Sequence, residues 1–476
     1  MTAPRIGERH AVWLITAVAV IGRLANLSQP MRYDESITWA YFVGRSWHTV
    51  VSSYPFPNNH VLFSLLAKAT SSLAPFQPWA LRLPAFLAGV AIVPLTWAVG
   101  RRLASPAVGL IGAALAAGST SLILYATNAR GYSLVIALFL AMLLVADELR
   151  VSPTTRGFAL HALLGALGLY AIPVMLYPLG IVAVWLLLAA LRATGPRGRQ
   201  LAIGTVLASA SAGVIALLLY LPIIRTAGMS ALTGNRFVTP TAWPAFLADL
   251  PRHAAETVGT WTSPLPWWSP PLLLVLALVG AWRTERTERP SLLRATALWC
   301  AVLLAATHRV PFVRVWLFLL PLFHLAVARG LVRVARRTRI GDAVASPLGA
   351  VVIAAGVASV ALFGGAVSAS TDTCSFPEAR VVSLRMAPEL RPGDRVLAPL
   401  PPNGPLLYYF SARGLDTALL STPPERTRRA FLVLDPSRGR TLDWAVEIGM
   451  IDPRVYAKPT LLHQSPGAEV WRADRR

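Results

Sequence analysis

The chain alternates between long apolar stretches and short polar loops over its first 370 residues. A membrane-spanning helix needs about 20 mostly apolar residues. Eleven stretches approach that length, namely 11–27, 82–99, 107–125, 132–147, 158–171, 176–192, 201–221, 270–282, 295–307, 313–329 and 344–368. The pattern therefore predicts a polytopic α-helical membrane protein with about 11 transmembrane helices.

One further stretch, 60–74, has a mixed character. It reads "HVLFSLLAKATSSLA", includes Lys68, and is short for a span. We predict that it forms an interfacial helix within the first external loop, residues 28–81, and lies in the plane of the membrane surface.

The distribution of arginine sets the predicted orientation. Cytoplasmic loops carry an excess of Lys and Arg. With eleven spans and a cytoplasmic N-terminus, that side receives Arg101 and Arg102, "LRATGPRGRQ", "WRTERTERPSLLR" and "ARGLVRVARRTRI". Counting 60–74 as a span would place these basic loops outside. We expect a multi-pass protein of the bacterial cytoplasmic membrane, with the loop 222–269 also external.

The pattern changes after residue 369. Four segments, "GDRVLAPL", "PLLYYFSA", "RAFLVLD" and "GAEVWRA", resemble short strands separated by turn residues. The sequence predicts a transmembrane domain over 1–369 and a small external α/β or α+β domain over 370–476.

Composition agrees with the membrane class. The 476 residues are 55% hydrophobic and only 14% charged, which is too apolar for a typical soluble domain. The net charge of +22 could suggest nucleic-acid binding. Because the arginines lie between apolar stretches, we expect membrane lipids as partners and no nucleic acid.

Two adjacent acids follow the first apolar stretch. Asp34 and Glu35 lie in "MRYDESITWAYF", on the side that otherwise keeps only Asp249 and Glu256 before residue 370. Carboxylates near a membrane are costly and often functional, and one here could take a proton from an attacking hydroxyl. The structural alternative is that one of them caps a helix over "ESITWAYFVGRSW".

Basic and polar side chains recur at the same predicted face. They are Asn59 and His60, Arg130 and Tyr132, and His308, Arg309 and Arg314. Arginine recognises phosphate through its planar fork, so the set suits a lipid phosphate. The alternative for each arginine is snorkelling to the interface. In the loop 222–269, Arg236 and Trp261 are candidates for acceptor contact or loop closure. Membrane anchoring is the alternative for the tryptophan.

Together these motifs resemble the GT-C membrane glycosyltransferases, of the protein O-mannosyltransferase and lipid A aminoarabinose transferase type. The resemblance covers roughly residues 10 to 330. Its motifs are the acidic pair, the histidine-led segment, "RLP" at 82–84, Arg130 with Tyr132, and Arg314 ahead of "LLP" at 319–321. One departure is Val61 and Leu62, which stand where the family often has two prolines.

The resemblance implies an inverting glycosyltransferase that moves a sugar from a polyprenyl-phosphate donor to a hydroxyl acceptor on the external membrane face. By analogy, Asp34 is the base and the basic residues hold the departing phosphate. The transferred sugar is either mannose or arabinofuranose. The acceptor is a glycan, a lipid or a protein. No cofactor is assigned, and a divalent cation stays open. The alternatives are a lipid or solute transporter and an inactive assembly protein.

Overall fold

A computed structural model describes residues 7–234, 237–281, 291–338, 341–370, 372, 375–423 and 427–476. They form two compact units. The helical unit comprises the chain up to Leu27, His48–Leu66 and Arg82–Ser368. The mixed unit comprises Ser28–Trp47, Ala67–Leu81 and Ala369–Arg476.

Each of the eleven apolar stretches contains helix. The helices are Glu8–Leu27, Pro78–Leu103, Pro106–Gly118 with Thr120–Ala126, Tyr132–Val151, Thr155–Ala171, Leu176–Ala190, Gly195–Leu219, Ser269–Ala281, Leu292–Thr307, Leu320–Ala335 and Pro347–Phe363. Five of the described helical spans, or six if the pair bent by 62° at Ser119 counts as one, are long and apolar enough to cross a membrane. The multi-pass prediction is confirmed, and the number eleven stays a prediction.

Other helical segments connect these helices. They are Trp47–Ser52, Val61–Ser71, Pro173–Met175, Leu221–Ala227, Ser230–Thr233, Trp243–Thr262, Val313–Leu319, Gly341–Val344 and Ala366–Ala369. The helix Val61–Ser71 occupies the stretch that was predicted to be interfacial, and its 11 residues are too few to span a bilayer.

Small residues let two helices of the helical unit touch through their backbones. A Cβ on Gly280 would clash with the carbonyl oxygen of Ala326, and one on Gly330 would clash with that of Leu276. Close backbone approach at small residues is the usual way in which membrane helices gain packing contacts.

Two arginines are fully buried in the helical unit, and both donate hydrogen bonds to backbone carbonyls. Arg23 donates to the oxygens of Ala19 and Ala117 at 3.1 and 3.0 Å. Arg82 donates to the oxygen of Leu27, the last residue of the first helix, at 2.7 Å. A cation at a helix C-terminus stabilises the exposed carbonyls there, so Arg82 of the "RLP" motif fixes the point where the first helix ends.

The mixed unit contains a four-stranded sheet in the order β1-β2-β4-β3. The strands are β1 (Arg395–Leu397), β2 (Arg429–Leu434), β3 (Thr460–Ser465) and β4 (Ala468–Asp474), with β1 parallel to β2 and the other pairs antiparallel. Its helices are Tyr33–Thr38, Ala379–Met386, Asn403–Ala412 and Leu442–Glu447, with 3-10 turns at Thr417–Leu420 and Pro436–Arg438.

The strand prediction for "PLLYYFSA" is wrong, because this segment lies in the helix Asn403–Ala412. Leu406, Tyr409 and Phe410 are all buried, and their i, i+3, i+4 spacing lines one helical face. The other three predicted strands are confirmed as β1, β2 and β4. The helix predicted over "ESITWAYFVGRSW" begins earlier, at Tyr33, and widens into a π-helix at Trp39–Val43.

Candidate functional site

The two acids lie on the short helix Tyr33–Thr38, which we call the acidic helix. Glu35 is fully buried, and its Oε1 accepts the backbone N–H of Arg32 at 2.8 Å. That bond caps the N-terminus of the acidic helix, so Glu35 has the structural role that the sequence left open. Asp34 sits in the same first turn and stays half-buried, which leaves it as the better candidate for proton transfer.

A basic cluster lies within the helical unit. It is formed by His60, which precedes the helix Val61–Ser71, and by Arg130 and Tyr132 around the start of the helix Tyr132–Val151. All three side chains are buried. The His60 ring stands edge-on to the Tyr132 ring at 5.4 Å, and the Arg130 Cζ lies 6.0 Å from the centroid of that ring.

The hydrogen bonds of His60 define its tautomer. Its Nδ1 accepts the backbone N–H of Gly131 at 2.9 Å. Burial lowers the pKa of His60 well below its ordinary 6.5, and the charges of Arg130 and Arg314 lower this pKa further. The ring is therefore neutral at pH 7, and its single proton is on Nε2.

That tautomer places two hydrogen-bond donors side by side. The Nε2 of His60 lies 3.4 Å from Nη2 of Arg130, and a guanidinium offers no lone pair. Two neighbouring donors favour one common acceptor with negative charge. The arrangement is therefore suited to an anionic oxygen such as that of a phosphate.

Two further residues contribute to this environment. Arg314 lies in the 3-10 segment Val313–Leu319, its Cζ 4.2 Å from the Phe312 ring, and its charge acts on His60. Tyr54 was missed by the sequence analysis. Burial raises its pKa to about 12, and the charge of Arg130 opposes that rise. Its position in "SYPFPNNH", six residues before His60, was the available signal.

The Asn59 side chain is hydrogen-bonded to residues close to it in sequence. Its Nδ2 donates to the carbonyls of Val50 and Ser53, both at 2.9 Å, and its Oδ1 accepts from the Ser64 hydroxyl at 3.0 Å. These bonds use both ends of the amide. Asn59 therefore shapes the loop that presents His60.

His308 and Arg309 contact the long loop. The His308 ring lies 4.1 Å from that of Trp243, and Arg309 donates to the carbonyl of Thr233 at 3.2 Å. Trp261 packs 5.5 Å from Phe323 and lines a cavity of about 80 Å³ together with His324. Arg236 lies outside the described residues.

Metal binding was left open by the sequence. Within the described ranges, no three His, Cys, Asp or Glu side chains lie together as a metal site would need.

The chain has the GT-C fold. Lipid A aminoarabinose transferase (ArnT) from Cupriavidus metallidurans, solved bound to undecaprenyl phosphate, is similar with a TM-score of 0.61 and 12% identity over 97% of each chain. An oligosaccharyltransferase from Archaeoglobus fulgidus, solved with Zn and sulfate, is similar with a TM-score of 0.53 and 11% identity. That match covers 97% of this chain and 72% of the other.

No protein-family model and no curated protein matches the chain. The resemblance seen in the sequence motifs is thus confirmed as a shared fold. At such low identity, the chemistry has to be argued from the side chains themselves.

Proposed function

We propose that this protein is an inverting glycosyltransferase that uses a polyprenyl-phosphate sugar as donor and a hydroxyl group as acceptor. The observation that carries the proposal is the donor pair of His60 and Arg130, buried beside the charge of Arg314. The fold shared with a transferase that was solved with undecaprenyl phosphate supports it.

The proposed reaction is a single displacement at the anomeric carbon. The acceptor oxygen forms the new glycosidic bond while the bond to the donor phosphate oxygen breaks with its electron pair. Asp34 takes the proton of the acceptor hydroxyl. The lipid phosphate leaves with an added negative charge, which Arg130, Arg314 and the Nε2–H of His60 stabilise.

Charge development gives these cations a catalytic role beyond binding. The departing phosphate is more negative than the phosphodiester of the donor, so fixed guanidinium groups bind the transition state more tightly than the ground state. Attack from the face opposite the phosphate inverts the anomeric configuration. In our proposal the transferred sugar is mannose or arabinofuranose, and the acceptor hydroxyl belongs to a glycan, a lipid or a protein.

The proposal also places the reaction on the external face of the bacterial cytoplasmic membrane. A polyprenyl tail stays in the lipid while its phosphate rests at headgroup depth. The arginine asymmetry of the loops supports this orientation, with residues 370–476 external as well.

Phosphate-dependent binding tests the site. We expect purified protein in nanodiscs to retain labelled undecaprenyl phosphate and not undecaprenol, which lacks the phosphate. His60→Asn keeps an oxygen that can accept from Gly131 but loses the Nε2 donor. A hydrogen bond to a charged group contributes about 1.5–3 kcal/mol, so binding should weaken by about tenfold to a hundredfold.

His48→Asn provides the matched control, because His48 is exposed on the helix Trp47–Ser52, and this variant should bind undecaprenyl phosphate as the wild type does. Equal retention of phosphate and alcohol by the wild-type protein would contradict the proposed site.

A further inference from the structure

The C-terminal part of the mixed unit contacts the acidic helix at several points. Its helix Asn403–Ala412, which we call the platform helix, packs against the acidic helix although about 370 residues separate the two in sequence. We infer that the platform helix is a positioning element for Asp34, with Gly404 and Tyr409 as its positioning residues. This inference rests on the proposed function, in which Asp34 takes the acceptor proton.

Hydrogen bonds fix the approach to the acidic helix. The backbone N–H of Met31 donates to the Tyr409 hydroxyl at 3.1 Å. The buried Arg32, directly before the helix, donates from Nη1 to the carbonyl of Ser370 at 2.6 Å. Both partners come from the C-terminal part of the chain, so the entry to the acidic helix is tied to that region.

Ring packing fixes the helix itself. The ring of Tyr33, the residue before Asp34, lies directly on Gly404, where a Cβ would meet the ring at 2.5 Å. The Trp39 ring meets the Tyr408 ring edge-on at 5.2 Å. Gly404 and Tyr408 are four residues apart and share one face of the platform helix. Only glycine leaves room for the Tyr33 ring at this distance, since any side chain at 404 would push the ring away.

Position matters because a general base works only within hydrogen-bond reach of its proton. A displacement of about 1 Å can cost about 10²-fold in rate. Gly404→Leu should therefore lower kcat by about tenfold or more, because it moves Tyr33 and with it the first turn that carries Asp34. The KM for the donor and the number of undecaprenyl-phosphate binding sites should stay unchanged, because those contacts involve other residues.

Ala412→Leu is the matched control. It places the same isobutyl side chain at the exposed end of the same helix, and we expect kcat within about twofold of the wild type. Hydrogen exchange gives a readout independent of activity. Gly404→Leu should speed hydrogen exchange in peptides covering 31–39 and leave β2 (Arg429–Leu434) protected. A folding defect would instead speed exchange in both segments and reduce the number of undecaprenyl-phosphate binding sites.

Adding Tyr33→Ala to Gly404→Leu should recover part of the lost kcat, because the leucine then occupies the space of the ring. The wild-type protein could transfer sugar while Gly404→Leu has the same kcat and hydrogen-exchange rates as Ala412→Leu. That result would overturn the positioning role and leave the proposed function standing. A wild-type protein that transfers no sugar would overturn the proposed function, and the positioning role with it.

Discussion

Asp34→Asn is expected to abolish most sugar transfer while donor binding is retained. The amide has nearly the same shape as the carboxylate but cannot accept the acceptor proton. General bases contribute about 10² to 10⁴ in rate, and kcat should fall by that range. Initial rates with a lipid-linked donor, together with undecaprenyl-phosphate binding on the same preparation, provide the measurement.

Two variants make the result specific to Asp34. Glu35→Gln should have a smaller effect, because the glutamine oxygen can still accept the N–H of Arg32 and keep the acidic helix capped. Asp249→Asn should be near-neutral, because Asp249 lies on the exposed helix Trp243–Thr262 and pairs with Arg252 there. Near-normal turnover of Asp34→Asn would refute its role as the base and make Glu35 the next candidate.

Arg130→Ala and Arg314→Ala are expected to lower kcat/KM strongly. Removing one fixed donor from a developing negative charge costs about 10²–10³ in rate in comparable sites, and both guanidinium groups act on the same leaving phosphate in our proposal. Arg→Lys at either position should restore only part of the activity, since an ammonium group cannot reproduce the planar fork. The kinetic constants of the four variants with one lipid-linked donor test this ranking.

Arg252→Ala is the control for loss of a positive charge. Its side chain is 69% exposed, and we expect kcat/KM to change by less than about twofold. Because Arg130 is buried, thermal unfolding of Arg130→Ala and Arg130→Lys should be measured in parallel. Full activity in well-folded Arg130→Ala and Arg314→Ala proteins would show that these residues do not stabilise the leaving phosphate.

Helices could be predicted from the sequence wherever a long apolar stretch forms the segment. Each predicted stretch contains helix, since helix is one of the few ways to satisfy the backbone of an apolar segment in lipid. The segment "PLLYYFSA" shows the limit. Short runs rich in aromatic residues fit either strand or helix, and its helical state depends on burying Leu406, Tyr409 and Phe410 against the rest of the mixed unit.

The residues of the candidate site could be predicted from the sequence, but their contacts could be predicted only in part. His60, Arg130 and Arg314 were selected as phosphate ligands from their predicted side of the membrane. The bond between His60 Nδ1 and Gly131 joins positions 71 residues apart, and the packing of Tyr33 on Gly404 spans an even longer separation. Such pairings depend on tertiary packing, which a single sequence does not encode in its local pattern.

Sugar transfer with two matched donors distinguishes a lipid-linked sugar donor from a nucleotide-sugar donor. Purified protein in nanodiscs is given either a radiolabelled undecaprenyl-phosphate sugar or the corresponding nucleotide sugar without lipid carrier, together with an extract that contains acceptors. We expect labelled product from the lipid-linked donor only, and none with Asp34→Asn. Equal use of the nucleotide sugar, or transfer that persists undiminished in Asp34→Asn, would contradict the proposed function.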